Sequence, residues 1–213
     1  MDIQVLSKSS NWMDTIWAAI RTCKSAEAPA VLFAKAGKTD YDKKLRLLLA
    51  CRNAGHLSVF EHASITFAVE GVSRALLAQY TRHRHISFSV QSQRYVTMSN
   101  ARFVMPPGMD YFELHDPLWL GDFAGDIIAD FVEGASRVYD HLLREGVKPE
   151  DARFILPNGM ACNFVTSMNL RAFIELYEKR VATKGAQWEI RQMVEHMAEL
   201  IQETEPWTRA LFE

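Results

Sequence analysis

The sequence predicts an α+β fold formed by a single domain over residues 1–213. Three observations support this. Segments with apolar residues at every second position and segments with apolar residues at helical spacing both occur. They follow one another without the strand–helix rhythm of a doubly wound sheet. Ten glycines and seven prolines are scattered as punctuation, with no internal repeat and no Pro-, Gly- or Ser-rich linker.

The elements are read in chain order. Asp2 to Leu6 is a short strand. After the polar Ser9-Ser10-Asn11, Trp12, Ile16, Trp17, Ile20 and Cys23 recur at helical spacing. A second helix starts near Thr39 or Asp40, turns Leu45, Leu48 and Leu49 inward and stops before Gly55. Ala63, Ile65, Phe67 and Val69 alternate with Ser64 and Thr66 as in a half-buried strand. Leu76, Leu77 and Tyr80 suggest a helix from Ser73 to about Arg84. Ile86 to Arg94 is serine-rich and reads as a loop. Tyr95–Thr97 and Arg102–Met105 look like strand pieces before the Pro106-Pro107-Gly108 turn. A long helix is expected from Leu118 to Glu145, ending at Gly146. Pro149 suits a first helical turn, with Arg153 inside a short helix closed by Pro157-Asn158-Gly159. Met160–Met168 alternates like a strand, and helices follow over Asn169–Ala182 and Ala186–Glu203.

Composition narrows the class. With 48% hydrophobic and 23% charged residues the chain is an ordinary globular sequence. Its length lets it bury roughly 70% of its unfolded surface, so no disulfide or metal staple is needed. A net charge of −2 argues against a protein that coats nucleic acid or membrane surfaces. No signal core, presequence or bilayer-length apolar run is visible. Cys23, Cys51 and Cys162 are odd in number and widely spaced, so a reducing cytoplasm is expected.

That average hides a local bias. From Gly71 to Met109 there is no Asp or Glu, although 39 residues should hold about five of the chain's 26 acids. The window carries Arg74, Arg82, Arg84, Arg94 and Arg102 with His83 and His85. It is either a solvated basic face or an anion site whose guanidinium groups are left unneutralised. On a helix, Gln79, Arg82 and His83 would share one face and offer an amide, a planar fork and a ring. Ser87, Ser89, Ser92 and Arg94 follow, a set suited to holding phosphate. His56, His62, His83 and His85 lack metal-ligand spacing and stand among arginines, so no metal is expected. No glycine-rich phosphate loop and no nucleophile elbow is present. The residues alone therefore point to a planar, phosphate-bearing ligand and name no reaction.

The string Arg82-His83-Arg84-His85-Ile86-Ser87-Phe88-Ser89-Val90-Gln91-Ser92-Gln93-Arg94-Tyr95 resembles the signature of the flavin-dependent thymidylate synthases: RHR, seven residues, serine, then x-Arg-Tyr. Gly55-His56-Leu57-Ser58-Val59-Phe60-Glu61-His62 resembles the family's Gly-His-x-Ser/Thr-x-x-Glu-His segment. Ala152-Arg153-Phe154-Ile155-Leu156-Pro157 resembles its Ala-Arg-x-x-Leu-Pro turn, and Asn169-Leu170-Arg171 its Asn-x-Arg. Arg180 and Gln187-Trp188-Glu189-Ile190-Arg191 resemble its C-terminal helix pair.

The resemblance implies an α+β homotetramer, a mixed or antiparallel sheet flanked by helices in each subunit, and sites formed between subunits. It implies conversion of dUMP to dTMP, with 5,10-methylenetetrahydrofolate giving the carbon, FAD carrying the hydride and NADPH reducing the FAD. By position, Gln79, Arg82, Ser89, Val90, Gln91, Ser92, Gln93, Arg94, Arg153 and Arg180 would bind dUMP, with Arg180 stabilising negative charge on the uracil ring. His56, Ser58, Glu61, Arg82, His83, Arg84, His85, Val90, Asn169, Arg171 and Glu175 would lie at FAD. No cysteine stands in surroundings like those of the nucleophile in a conventional synthase, so fixed positive charge is the expected means of activating the ring. The sequence departs from the family at Val90, where Glu or Gln is common and Gln91 follows one step later. It departs again at Glu175, where Asn is frequent. Two other readings remain open: a binder of single-stranded RNA on the same aromatic-interleaved arginines, and a flavoprotein that hydroxymethylates a related pyrimidine nucleotide.

Overall fold

In a computed structural model of the chain, residues 1–99, 101–114 and 123–212 are described. Strand β1 (Asp2–Lys8) leads to α1 (Trp12–Thr22), α2 (Pro29–Ala36) and α3 (Tyr41–Asn53), then a 3-10 turn, Leu57–His62. β2 (Ser64–Ser73), α4 (Arg74–Tyr80) and β3 (Ile86–Val90) follow. After a 3-10 turn, Met109–Tyr111, come α5 (Ala124–Arg144), α6 (Pro149–Ala152) and a further 3-10 turn, Arg153–Ile155. β4 (Ala161–Asn169), α7 (Leu170–Tyr177), a π-helical turn (Glu178–Ala182), α8 (Trp188–Thr204) and α9 (Arg209–Phe212) complete the order. The fold is α+β: an antiparallel sheet of order β1-β2-β4-β3 flanked by helices. No helix among the described residues is long and apolar enough to cross a membrane.

The described residues group into two compact units. The larger holds Asp2–Val69, Gln79–Ser89 and Val165–Glu213; the other holds Met1, Glu70–Ala78 and Val90–Phe164. β2, β3 and β4 contribute residues to both.

In the larger unit, strand alternation buries Ile65, Phe67 and Val69, while α1, α7 and α8 bury Trp12, Phe173 and Met193. Asp40 caps α3, its carboxylate accepting from Lys43 N–H at 3.1 Å. Asn169 caps α7 through Ala172 N–H at 2.9 Å, and Gln187 caps α8 through Glu189 and Ile190 N–H at 3.1 and 3.2 Å. In the other unit, α5 buries Tyr139, whose hydroxyl accepts from Met98 N–H at 3.2 Å, and Met98, Tyr139 and Ala152 form a small core. The Phe103 ring lies against Gly159, where a Cβ would come within 2.2 Å of it. Only glycine fits that turn.

Several elements differ from the sequence reading. The helix expected to Arg84 stops at Tyr80. Residues 81–85 form turns that end at His85, whose left-handed backbone (φ 60°) cannot continue a helix. Ile86–Val90, read as part of a loop, is a strand: Ile86, Phe88 and Val90 are half-buried and the serines between them exposed. That period of two was masked by the serines. Tyr95–Thr97 is a turn, and Arg102–Met105 reduces to one antiparallel bridge, Phe103 to Met160. Helices α2 and α9 were not foreseen, although Pro29 at the first position of α2 was a start signal. The long helix begins at Ala124, after the Glu113–Phe123 bridge, and Leu118–Asp122 lies outside the described residues.

Candidate active site

In the larger unit the α3 helix and Gly55 deliver His56 and, right after it, the 3-10 turn that carries Ser58 and Glu61. Leu170 N–H bonds the Ala63 carbonyl at 2.8 Å, which fixes the start of α7 to the end of that turn. Arg171, in the first turn of α7, then reaches two carboxylates: Nη1 donates to Glu61 at 2.7 Å and Nε to Glu175 at 3.0 Å. Those two acceptors raise its pKa above the ordinary guanidinium value.

Two clefts open along this surface. One, about 180 Å³, is lined by Glu61, His85, Asn169, Arg171, Ala172 and Glu175. The other, about 210 Å³, is lined by Arg82, His83, Arg84, His85, Glu175 and Lys179, with Ala172 in both. His85 stands in both walls and carries the left-handed backbone, a conformation that costs energy in a non-glycine residue and clusters at functional sites. Among the described residues neither Arg82 nor Arg84 has a carboxylate partner, so their charge is free for an anion.

Arg180 sits in the π-helical turn after α7, an irregularity that recurs at functional sites. Its Nε donates to His83 Nε2 at 2.9 Å and its Nη2 to the Gln79 carbonyl at 3.3 Å. An accepting Nε2 means that His83 is neutral there. Burial, then the charges of Arg180 and Lys179, hold its pKa down at about 4. Burial and the nearby Arg82 lower the pKa of Arg180. Beneath the turn, the buried Tyr80 hydroxyl and Thr166 Oγ1 are 3.0 Å apart, and Tyr80 meets the Phe88 ring edge-on at 5.0 Å between centroids.

The other unit gathers the second set of expected residues. β3 ends at Val90, and Gln91 is tied to β4: its N–H donates to the Asn163 carbonyl at 2.9 Å, and its Oε1 accepts from Asn163 Nδ2 at 3.2 Å. Ser92 Oγ accepts from Arg94 N–H at 3.2 Å. Gln93 is buried, with Nε2 lacking a hydrogen-bond partner among the described residues. Glu150 draws two expected dUMP ligands together. Its carboxylate accepts from Arg94 Nε at 2.8 Å and its carbonyl from Arg153 Nε at 3.1 Å. The reading of Arg94 as unneutralised is thereby corrected, because its carboxylate comes from 56 residues away. Tyr95 and Phe154, the neighbours of those arginines, are each 83% exposed.

The structure thus brings together Gln79, Arg82, His83, Arg84, His85 and Arg180, and next to them Glu61, Asn169, Arg171 and Glu175. Ser58 shares Glu61's turn and His56 precedes it, but neither lines the two clefts. Ser89 is an exposed strand residue of the larger unit. Sequence reasoning missed Lys179, which lines the second cleft, and Glu150; neither stands in a motif that would have marked it.

A family model described as thymidylate synthase complementing protein matches residues 4–207. A flavin-dependent thymidylate synthase from Haloarcula marismortui is 37% identical over 241 aligned positions, covering 100% of this chain and 95% of the relative. The chain belongs to the flavin-dependent thymidylate synthase family. A second such synthase, from Nitratidesulfovibrio vulgaris, is 35% identical over 96% of this chain and 83% of its own. The fold is shared with a crystal structure of the UMP/dUMP methylase PolB from Streptomyces cacaoi bound with 5-Br dUMP: TM-score 0.79, 22% identity, 99% of this chain and 94% of that one.

Two departures from the synthase motif have local explanations. Gln91, one step after Val90, is held on Asn163 of β4 through both its N–H and its Oε1. Glu175 bonds Arg171, a charged contact that an Asn could not supply.

Proposed function

We propose that this chain is a flavin-dependent thymidylate synthase acting in the cytoplasm as one catalytic domain. In this reading it methylates C5 of dUMP, with 5,10-methylenetetrahydrofolate as carbon donor and NADPH as reductant. The observation that carries it is Arg180: a guanidinium held by two neutral acceptors, its charge undiminished, beside the arginines of the family signature. Membership of the family and the named activity of its relatives support the substrate and the flavin.

The residues suit FAD. Arg82, Arg84 and Lys179 offer positive charge to a diphosphate, and Asn169, Arg171 and Glu175 offer donors and acceptors to hydroxyls and ring edges. When bound, the flavin would supply the hydride chemistry that side chains lack. The chain's own task is to make C5 of uracil nucleophilic. Arg180, with Gln79 and Arg82 near it, would stabilise the ionised pyrimidine, whose C5 then donates its electron pair to the carbon donor. Cys23, Cys51 and Cys162 line neither cleft, which supports activation without a thiolate. Ser92, Arg94 and Arg153 would take the nucleotide phosphate, and Arg94 would exchange Glu150 for it.

The assembly we propose is a homotetramer with sites between subunits. Each cleft is smaller than the roughly 300 Å³ at which enclosed ligand sites begin, so one subunit alone would leave a dinucleotide largely uncovered. The bare Tyr95 and Phe154 beside the phosphate arginines are what a second copy would cover.

Purified protein should be yellow and release FAD on denaturation. It should release the C5 proton of dUMP only when NADPH and methylenetetrahydrofolate are present. Arg180→Ala should keep the flavin and lose about 100- to 1000-fold in turnover, the cost of one preorganised charge-stabilising donor. A colourless protein that takes up no FAD, or full turnover in Arg180→Ala, would overturn the reading.

A further inference from the structure

We propose that His83 is a positioning residue for Arg180: its neutral imidazole accepts the Nε–H and turns the outer edge of the guanidinium toward the pyrimidine. This rests on the functional reading above and deepens it. A guanidinium has five N–H donors in a fixed plane, and Nε with Nη2 forms one edge of the fork. That edge is used up by protein, Nε on His83 Nε2 at 2.9 Å and Nη2 on the Gln79 carbonyl at 3.3 Å. Among the described residues the edge formed by Nη1 and the second Nη2 hydrogen has no partner, which leaves its donors for a planar ligand.

The chemistry of the two acceptors matters as much as their position. A carboxylate would orient the same fork but cancel its charge, as Glu150 does to Arg94 and Glu61 with Glu175 does to Arg171. An imidazole and a carbonyl fix the plane and leave the full positive charge to act on a developing anion. Burial first, then the charges facing it, holds His83 in the neutral form. Arg180 and Lys179 bear on it from the π-helical turn, and both disfavour a second positive charge. Tyr80 supports the ring from below, its centroid 6.4 Å away. The accepting Nε2 places the imidazole proton on Nδ1.

The test is a pair of variants and a cycle in the flavin-loaded enzyme. His83→Leu should lower kcat by about ten- to a hundredfold, the range for losing a charged hydrogen bond, with a smaller change in KM for dUMP and flavin content retained. His83→Gln, whose Oε1 can accept near the Nε2 position, should recover most of that loss. The double variant His83→Leu/Arg180→Ala should be no slower than Arg180→Ala, because His83 acts through Arg180. Nitrogen NMR of the wild-type holoenzyme should show His83 as the Nδ1–H tautomer between pH 6 and 8. Multiplying losses in the double variant, no recovery in His83→Gln, flavin lost in step with activity, or a protonated Nε2 would each overturn the inference. The tautomer reports on the bond even if the protein proves to have no synthase activity, so failure of the broader reading stays distinguishable.

Discussion

Removing a single oxygen atom tests how firmly the site rests on the sheet. Tyr80 is fully buried and its hydroxyl lies 3.0 Å from Thr166 Oγ1, itself 1% exposed. Tyr80→Phe keeps the ring and its edge contact with Phe88 but deletes one partner of that hydrogen bond. The Thr166 hydroxyl is then stranded away from water, at a cost of about 1–3 kcal/mol. For a chain of this size each kcal/mol moves Tm by about 2–4 °C, so a fall of about 2–12 °C is expected. Thr166→Val should cost a similar amount. The double variant replaces both partners by apolar groups of nearly the same shape, and should be distinctly more stable than the two losses added together. Thermal unfolding followed by far-UV circular dichroism, at one protein concentration because subunit association also shifts Tm, makes the measurement. A Tm within about 1 °C of wild type for Tyr80→Phe, or losses that simply add in the double variant, would show that this hydroxyl pair does not anchor the turn.

Further outcomes follow from the charges. Glu150→Gln removes the carboxylate that occupies Arg94 and should lower KM for dUMP by up to about fivefold, the span of a half-exposed ion pair, while a raised KM would refute the competition. Glu175→Asn leaves Arg171 on Glu61 and removes one negative charge from both clefts. FAD should bind more tightly, with a steeper loss in salt because the attraction to be screened is larger, and weaker binding by fluorescence titration would show that the hydrogen bonds Glu175 offers the cofactor outweigh its charge. His83 has its pKa lowered to about 4 in the fold, so the unfolded chain takes up that proton first as pH falls. Stability from this group is complete above about pH 6.5 and declines between 6.5 and 4. Tm of wild type should therefore drop more over that interval than Tm of His83→Gln, and parallel curves would deny the shift.

Much of the fold was legible because local pattern and tertiary role agree. Ile65, Phe67 and Val69 alternate in sequence and are buried in β2, and Asp40, Asn169 and Gln187 cap the helices that follow them. The reading failed where distant partners override local preference. β3 has serines on its exposed face and became a strand because β4 offered it an edge. The 81–84 segment looked helical as the continuation of Leu76, Leu77 and Tyr80, yet its arginines and histidine are displayed by turns ending in a left-handed His85.

The sequence by itself determined the α+β class, the acid-free arginine window and the signature that places the chain in its family. Each is written in residue type and spacing alone. Only the tertiary structure decided which of those arginines keep their charge. Arg82, Arg84 and Arg180 have no carboxylate partner among the described residues, whereas Arg94 and Arg171 are met by acids brought from 56 and 110 residues away. A guanidinium's reactivity depends on what lies within about 4 Å of it, and that distance is set by packing across the chain.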